Sequence, residues 1–244
     1  IRGRPTVQDP LGLPMTGALP DGQGGPHVYV EDLDEPVLAD EDRHHLARVL
    51  RLRDGDSLTV GDGLGRWRPA RFGSDLRIDG EVVEVPAASR TVAVGFALIK
   101  GGRPELVVQK LTELGVDHIL PLAAERSVVR WDEAKVASQY ERMVRVAREA
   151  GMQSRRARLP EVAPVAPVES LLDAAMAEPG GEVLDTDVDV LLVGPEGGWT
   201  PEELRERRRI SLGSTILRAE TAAIVAGVLL VALRDGRVVE ADRD

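Results

Sequence analysis

The chain has 244 residues and a formal net charge of −10, and its 43% hydrophobic but only 3% aromatic content means that aliphatic side chains must fill any core. It has no cysteine, which excludes disulfides and thiolate metal sites, and its four histidines (His27, His44, His45, His118) show no metal-ligand spacing with carboxylates. The longest apolar run, 222–233, spans 12 residues, short of the roughly 20 that a membrane helix needs; with no signal peptide in view, the expectation is a cytoplasmic protein with no membrane contact.

Residues 1–26 are rich in Gly and Pro without apolar periodicity and read as a disordered leader. Residues 27–88 read as a small β-barrel. "HVYV", "DSLTVGD", "RWRPARF" and "DGEVVEVP" are short alternating runs broken by Asp-Gly turns. One helix, "DEDRHHLARVLRL", interrupts them, with Leu46, Val49 and Leu50 at helical spacing. "PAASR" at 86–90 is a linker. From residue 89 to 244 the period changes, and strands alternate with helices. "TVAVGFALI", "DHILPLA", "DVLLVG" and "ISLG" read as strands; "PELVVQKLTELG", "EAKVASQYERMVRVAREA", "VESLLDAAMA", "PEELRERRR" and "AETAAIVAGVLLVAL" read as helices. Such alternation predicts an α/β domain with a mostly parallel sheet covered on both faces.

Charge is unevenly spread. Residues 21–42 hold eight acids and no Lys or Arg, whereas residues 142–158 hold six Arg and one acid, Glu149. Phosphate responds to such a local patch more than to the net charge. Arg142, Arg145 and Arg148 recur on roughly one helical face, followed by Gln153, Arg155, Arg156 and Arg158. Arg126 follows a strand, and Arg43, Arg48, Arg51 and Arg53 lie on the N-terminal helix and its exit. The plain reading of these is a solvated basic face; the functional one is contact with nucleic-acid phosphates. His44 and His45 are adjacent, so they point to different helix faces and read as structural or RNA-contacting rather than as a general base.

Open α/β sheets bind ligands at the carboxyl ends of their strands. Two glycine loops stand at such ends, "GPEGG" (194–198) and "LGSTILRAET" (212–221). Neither matches a dinucleotide or P-loop fingerprint, so a ligand read by backbone edges, such as an adenine and a ribose, fits better than one held by its phosphates. Each loop alone is an ordinary turn; their joint occurrence around one short helix, ahead of a helix with small residues (Ala222, Ala223, Ala226, Gly227), singles them out. Those small residues permit close packing within the fold or across a dimer.

"GPEGGWTPEE" followed by "LGSTILRAETAA" resembles the bacterial RsmE family, which methylates N3 of one uridine in 16S rRNA with S-adenosylmethionine. "HHLARVLRLRDGD", "QKLTELGV", "PLAAERSVVRW" and "QSRRARLPEV" are similar to further blocks of that family in the same order, over about residues 27–235. The resemblance implies a PUA-like barrel followed by a SPOUT methyltransferase domain with a C-terminal trefoil knot, a homodimer, and 16S rRNA as partner, in the assembled small subunit. It implies that Gly194, Pro195, Glu196, Gly197 and Gly198 form one wall of the S-adenosylmethionine pocket, and Leu212, Gly213, Ile216, Leu217, Arg218 and Ala219 the other. Arg218 is the first catalytic candidate, as a fixed cation near a uracil carbonyl oxygen. Glu196 or Glu220 orients Arg218 or accepts the N3 proton, and the sequence leaves that choice open. Arg126, Arg145, Arg148, Gln153, Arg155, Arg156, Arg48 and Arg51 are the RNA-binding candidates. A non-catalytic RNA-binding protein that kept the fold is the competing reading. Two departures stand out: His27 occupies the place of an expected Arg, and the stretch between "PEEL" and "ISLG" is short.

Overall fold

In a computed structural model, residues 19–20, 24–100 and 103–238 are described; most of the expected leader lies outside them. The chain divides into two units, residues 1–87 with 155–158, and residues 88–154 with 159–244.

The first unit is a five-stranded sheet. β1 (His27–Tyr29) runs parallel to β2 (Ser57–Gly61). β2 is antiparallel to β3 (Arg66–Arg71), which also pairs with β4 (Arg77–Ile78) and β5 (Val83–Glu84). Leu58, Val60, Trp67 and Ala70 fill its interior. The expected helix is split: α1 (Asp40–His44) passes into a π-helical turn over His45–Val49, where the Leu50 amide donates to the His45 carbonyl. The wider turn breaks the 3.6-residue register. Leu46 is therefore buried, while Val49 and Leu50 are exposed rather than sharing its face. Residues 155–158 pack on this unit. Gly65 N donates to Ala157 O at 2.9 Å, Tyr29 Oη donates to Arg156 O at 2.7 Å, and Leu64 bridges Arg158.

His27 is buried at 3% exposure, with Nδ1 2.9 Å from Thr59 Oγ1 and its ring edge-on to Tyr29. Burial, and then the nearby Arg155 charge, lower its pKa to about 4 from the usual 6.5, opposed by the Arg156 backbone carbonyl, which favours a protonated ring. The unfolded chain thus takes up a proton near pH 6.5 that the folded state refuses until about pH 4. Stability should fall as pH drops through this window, by about 3 kcal/mol at most. Melting curves from pH 7 to 4 are expected to show this loss and a flatter profile for His27→Gln; equal slopes for the two proteins would contradict it.

The second unit is an α/β sheet in which every strand pair is parallel. Its strands are β6 (Ala93–Ala97), β7 (His118–Ala123), β8 (Glu161–Val162), β9 (Ala166–Pro167), β10 (Ala175–Glu182), β11 (Val190–Val193) and β12 (Arg209–Ile210). Their order is β12-β10-β11-β6-β7-β8, with β9 also on β7. The chain moves outward from β6 on one side, then returns to the other side, so the order reverses between β6 and β11. Such a switch point is where open sheets bind ligands.

α2 (Arg103–Leu114) buries Val107, Val108 and Leu111. α3 (Glu133–Gln153) buries only Met143, Ala147, Ala150 and Gly151, leaving a polar outer face. α4 (Pro201–Leu204) is a single turn, and α5 (Ala219–Arg234) packs on α2, β6 and β11. The small residues of α5 serve contacts within the chain: a Cβ on Gly227 would lie 2.6 Å from Leu111 Cδ2. Arg234, at the end of α5, pairs with Asp117 at 2.8 Å, and the same carboxylate accepts from Val92 N.

Two expected helices are corrected. "VESLLDAAMA" gives a 3₁₀ turn over Val168–Ser170 and then strand β10. Ala175 and Met176 pair in register with Leu191 and Leu192, and Met176 also with Arg209, so pairing on both edges overrides the helix propensity of Ala, Leu and Met. "PEELRERRR" is helical only through Leu204. Arg207 reaches back to the Leu171 and Val168 carbonyls and Arg208 to Asp185, which pulls the chain straight into β12. Among the described residues no helix is long and apolar enough to cross a membrane.

Candidate active site

β11 ends at Val193, and the chain turns through residues 194–199 into α4. The Trp199 indole lies under this turn and donates from Nε1 to Ala177 O at 3.1 Å. A Cβ on Gly194 would stand 2.9 Å from Trp199 Cε2, so only glycine lets backbone and indole approach this closely. Gly198 has φ +69°, and its amide donates to Pro195 O at 2.9 Å, closing a tight turn that side chains disfavour.

Two anchors hold the loop from outside. Arg126, in the loop after β7, donates from Nη1 to Trp199 O at 3.0 Å and to Gly197 O at 3.4 Å. Buried Glu203 completes the capping box expected from "WTPEE": its Oε2 accepts from Thr200 N at 2.8 Å, and Thr200 Oγ1 accepts from Glu203 N at 3.2 Å. Its second oxygen accepts from Glu125 N at 3.0 Å, tying the loop after β7 to the loop after β11. Glu203→Ala strands two backbone donors and removes a cap, so it should cost about 2 kcal/mol. The expected melting temperature is lower by about 5 °C; a change under about 1 °C would contradict the anchoring role.

The second wall follows β12. Residues 212–218 lead into α5, with Arg218 at the N-cap position in extended conformation. The two loops enclose one cavity of about 540 Å³. All eleven residues expected to form the two walls line it: Gly194 to Gly198 on one side, Leu212, Gly213 and Ile216 to Ala219 on the other. Sequence reasoning missed Trp199 and a third segment, Ala177 to Pro179 at the end of β10. The misreading of β10 as helix hid that segment, since only a parallel strand delivers its carboxyl end to this edge.

Among the catalytic candidates, Arg218 and Glu196 line the cavity and Glu220 does not. Arg218 is exposed and has no acidic partner among the described residues. Glu196 and Glu220 both face Arg103 of α2, whose Nη1 lies 3.8 Å from Glu196 Oε1 and 3.6 Å from Glu220 Oε1. Glu220 Oε2 is buried without a hydrogen-bond partner among the described residues. Arg103 was not singled out from sequence, because no spacing links α2 to two distant loops.

The RNA-binding candidates fall in both units. On α3, Arg145 and Gln153 are exposed, and half-buried Arg148 lies 3.7 Å from Met152 Sδ. Arg142 pairs with Glu105 of α2 at 2.8 Å, a strut between the helices. In the first unit Arg48 and Arg51 are exposed, and Arg155 and Arg156 are half-buried. His44 and His45 are exposed on that unit as well.

Comparison with known proteins places these features. The family model described as an RNA methyltransferase domain matches residues 86–231, and the one described as an RNA methyltransferase PUA domain matches residues 38–75. The "Ribosomal RNA small subunit methyltransferase E" of Mycobacterium tuberculosis is 34% identical over 231 residues, covering 81% of this chain and 88% of the relative. A methyltransferase from Legionella pneumophila, solved with bound SAM, superposes with a TM-score of 0.75 at 29% identity, covering 84% of this chain and 96% of that one. The ribosomal RNA small subunit methyltransferase E of Neisseria gonorrhoeae, bound to S-adenosyl methionine, gives a TM-score of 0.70 at 26% identity over 85% and 97% of the two chains. The PUA domain followed by an α/β SPOUT methyltransferase domain, which the family resemblance implied, is the fold class of this protein. The chain belongs to the ribosomal RNA small subunit methyltransferase E family.

Proposed function

We propose that this protein transfers the methyl group of S-adenosylmethionine to N3 of a uridine in 16S rRNA, acting on the assembled small ribosomal subunit as a cytoplasmic homodimer. The observation that carries this reading is the cavity of about 540 Å³ in which two glycine loops meet at the carboxyl ends of β10, β11 and β12. That volume lies within the roughly 300–1,000 Å³ usual for small-molecule sites. The wall at Gly194 is a cradle that a Cβ would fill, and bare backbone there suits the edges of an adenosine. Two solved relatives that carry S-adenosylmethionine support the choice of cofactor.

Residues 194–198 and 212–219 would hold the cofactor, which supplies an electrophilic methyl on a sulfonium when bound. Uracil N3 carries an imide proton and is a poor nucleophile until that proton leaves. As it leaves, negative charge spreads onto the two neighbouring carbonyl oxygens. Arg218, exposed on the cavity wall with no ion-pair partner among the described residues, stabilises that charge. Glu196 lines the same cavity and takes the proton; Glu220, turned toward Arg103, steadies that cation rather than meeting the base. N3 lies on the pairing edge, so the uridine must be unpaired or splayed out to react. Arg145, Arg148 and Gln153 on α3, with Arg48, Arg51, Arg155 and Arg156, contact rRNA phosphates. Arg126 contributes through the loop it holds.

The test is incubation of purified protein and labelled S-adenosylmethionine with small subunits from a strain lacking the modification, followed by nucleoside analysis. Label is expected in 3-methyluridine of 16S rRNA. Label in another nucleoside, or none with cofactor binding intact, would overturn the proposed substrate.

A further inference from the structure

β10 does not run straight past the cavity. Ala177 and Glu182 both register with Ile210 of β12, so residues 178–181 loop out of the sheet between them. Bulges of this kind re-aim side chains beside active sites. The return of the excursion is fixed by close contact, since a Cβ on Gly181 would stand 2.6 Å from the Arg209 backbone. On the other edge Ala177 pairs with Val193, which sets Glu178 level with Gly194 at the cavity mouth of the sheet. Glu178 lines the cavity and is half-buried.

Three charged side chains line this cavity: Glu178, Glu196 and Arg218. Glu196 has Arg103 within 3.8 Å. Glu178 has no ion pair and no side-chain hydrogen bond among the described residues, although an ionised carboxylate has room for about four acceptor contacts. Its neighbours on the wall, Ala177, Val193, Trp199 and Ala222, are mostly buried and apolar, whereas Glu196 and Arg218 are exposed at the rim. The apolar inner wall suits the nucleoside half of a ligand, and the charged rim suits an amino-acid half. A carboxylate beside the nucleoside meets a vicinal diol, whose two hydroxyls match its two oxygens. Acidic side chains take this part for ribose in other open α/β sheets.

We infer that Glu178 is the side chain that accepts hydrogen bonds from the ribose hydroxyls of the bound nucleoside. This rests on the S-adenosylmethionine reading of the cavity. The test is calorimetric titration of S-adenosylmethionine and of 5′-methylthioadenosine, which keeps the ribose and lacks the amino-acid ammonium and carboxylate. Glu178→Ala is expected to weaken both ligands by the same factor, about 10- to 100-fold. The near-isosteric Glu178→Gln, which keeps the volume of the site, is expected to weaken both by about 10-fold, with an unchanged melting temperature in the absence of ligand. A loss confined to S-adenosylmethionine would overturn the inference in favour of the ammonium as the group read. Unchanged affinity for both ligands would overturn it outright. Failure of the unsubstituted protein to bind S-adenosylmethionine is a separate result and would overturn the cofactor reading itself.

Discussion

Arg218→Ala is expected to lower kcat by about 100-fold or more while the dissociation constant for S-adenosylmethionine stays within about threefold. The reason lies in where the guanidinium stands. It is exposed on the cavity wall, immediately before the first turn of α5, and no carboxylate among the described residues neutralises it. The two acids offered by the sequence either to orient it or to accept the proton face Arg103, at 3.8 and 3.6 Å. A cation left free in this way acts on charge that develops in the substrate, and its loss is felt in the transition state rather than in ground-state binding. Single-turnover methyl transfer together with calorimetry separates the two effects. A parallel loss of affinity and rate would make Arg218 a cofactor-binding residue instead. Arg218→Lys should recover only part of the rate, because an ammonium lacks the planar fork that reaches a carbonyl oxygen from a fixed direction.

Trp199→Ala is expected to be the most damaging substitution for stability, at about 3–5 kcal/mol. Trp199 is 4% exposed and packs with Leu122, Val168, Met176 and Leu192. Its indole also fills the space under Gly194 and donates to Ala177 O, so it joins the ends of β10 and β11 that form the cavity floor. Removing it opens a void and frees the loop, and cofactor affinity should fall along with the melting temperature, which drops by about 10 °C. Trp199→Phe keeps most of the packing and strands only the Ala177 carbonyl, for about 1–2 kcal/mol. A melting temperature within about 2 °C of the parent for Trp199→Ala would show that the indole does not carry the floor.

The site was legible where local chemistry writes itself into neighbouring residues. "GPEGGWTPEE" states a strand end, a tight turn and a capped helix in sequence order, and Thr200 and Glu203 form that cap. The second loop was legible for the same reason, since α5 begins at Ala219 after an extended Arg218. What failed was set by partners distant in sequence. "LLDAAMA" has helical propensity, yet Met176 is a strand residue because Leu192 and Arg209 flank it. Glu178 went unnoticed because it directly follows a segment taken for a helix, and Trp199 because it was read only as part of a helix start. The π-turn at His45–Val49 likewise leaves no mark in the apolar spacing that it breaks. Arg103 and Arg126 serve loops more than 70 residues away, and nothing near them in the sequence announces it. Threading of a chain through its own loop is a global property that no residue pattern encodes; that reading came from family resemblance alone.

A crystal structure of the protein soaked with S-adenosylhomocysteine tests the account most directly. The account requires density for the nucleoside between residues 194–198 and 212–219, with the sulfur turned toward the rim that carries Arg218 and Glu196. Density at any other place on the protein, or these two loops closed on each other with the ligand excluded, would contradict it.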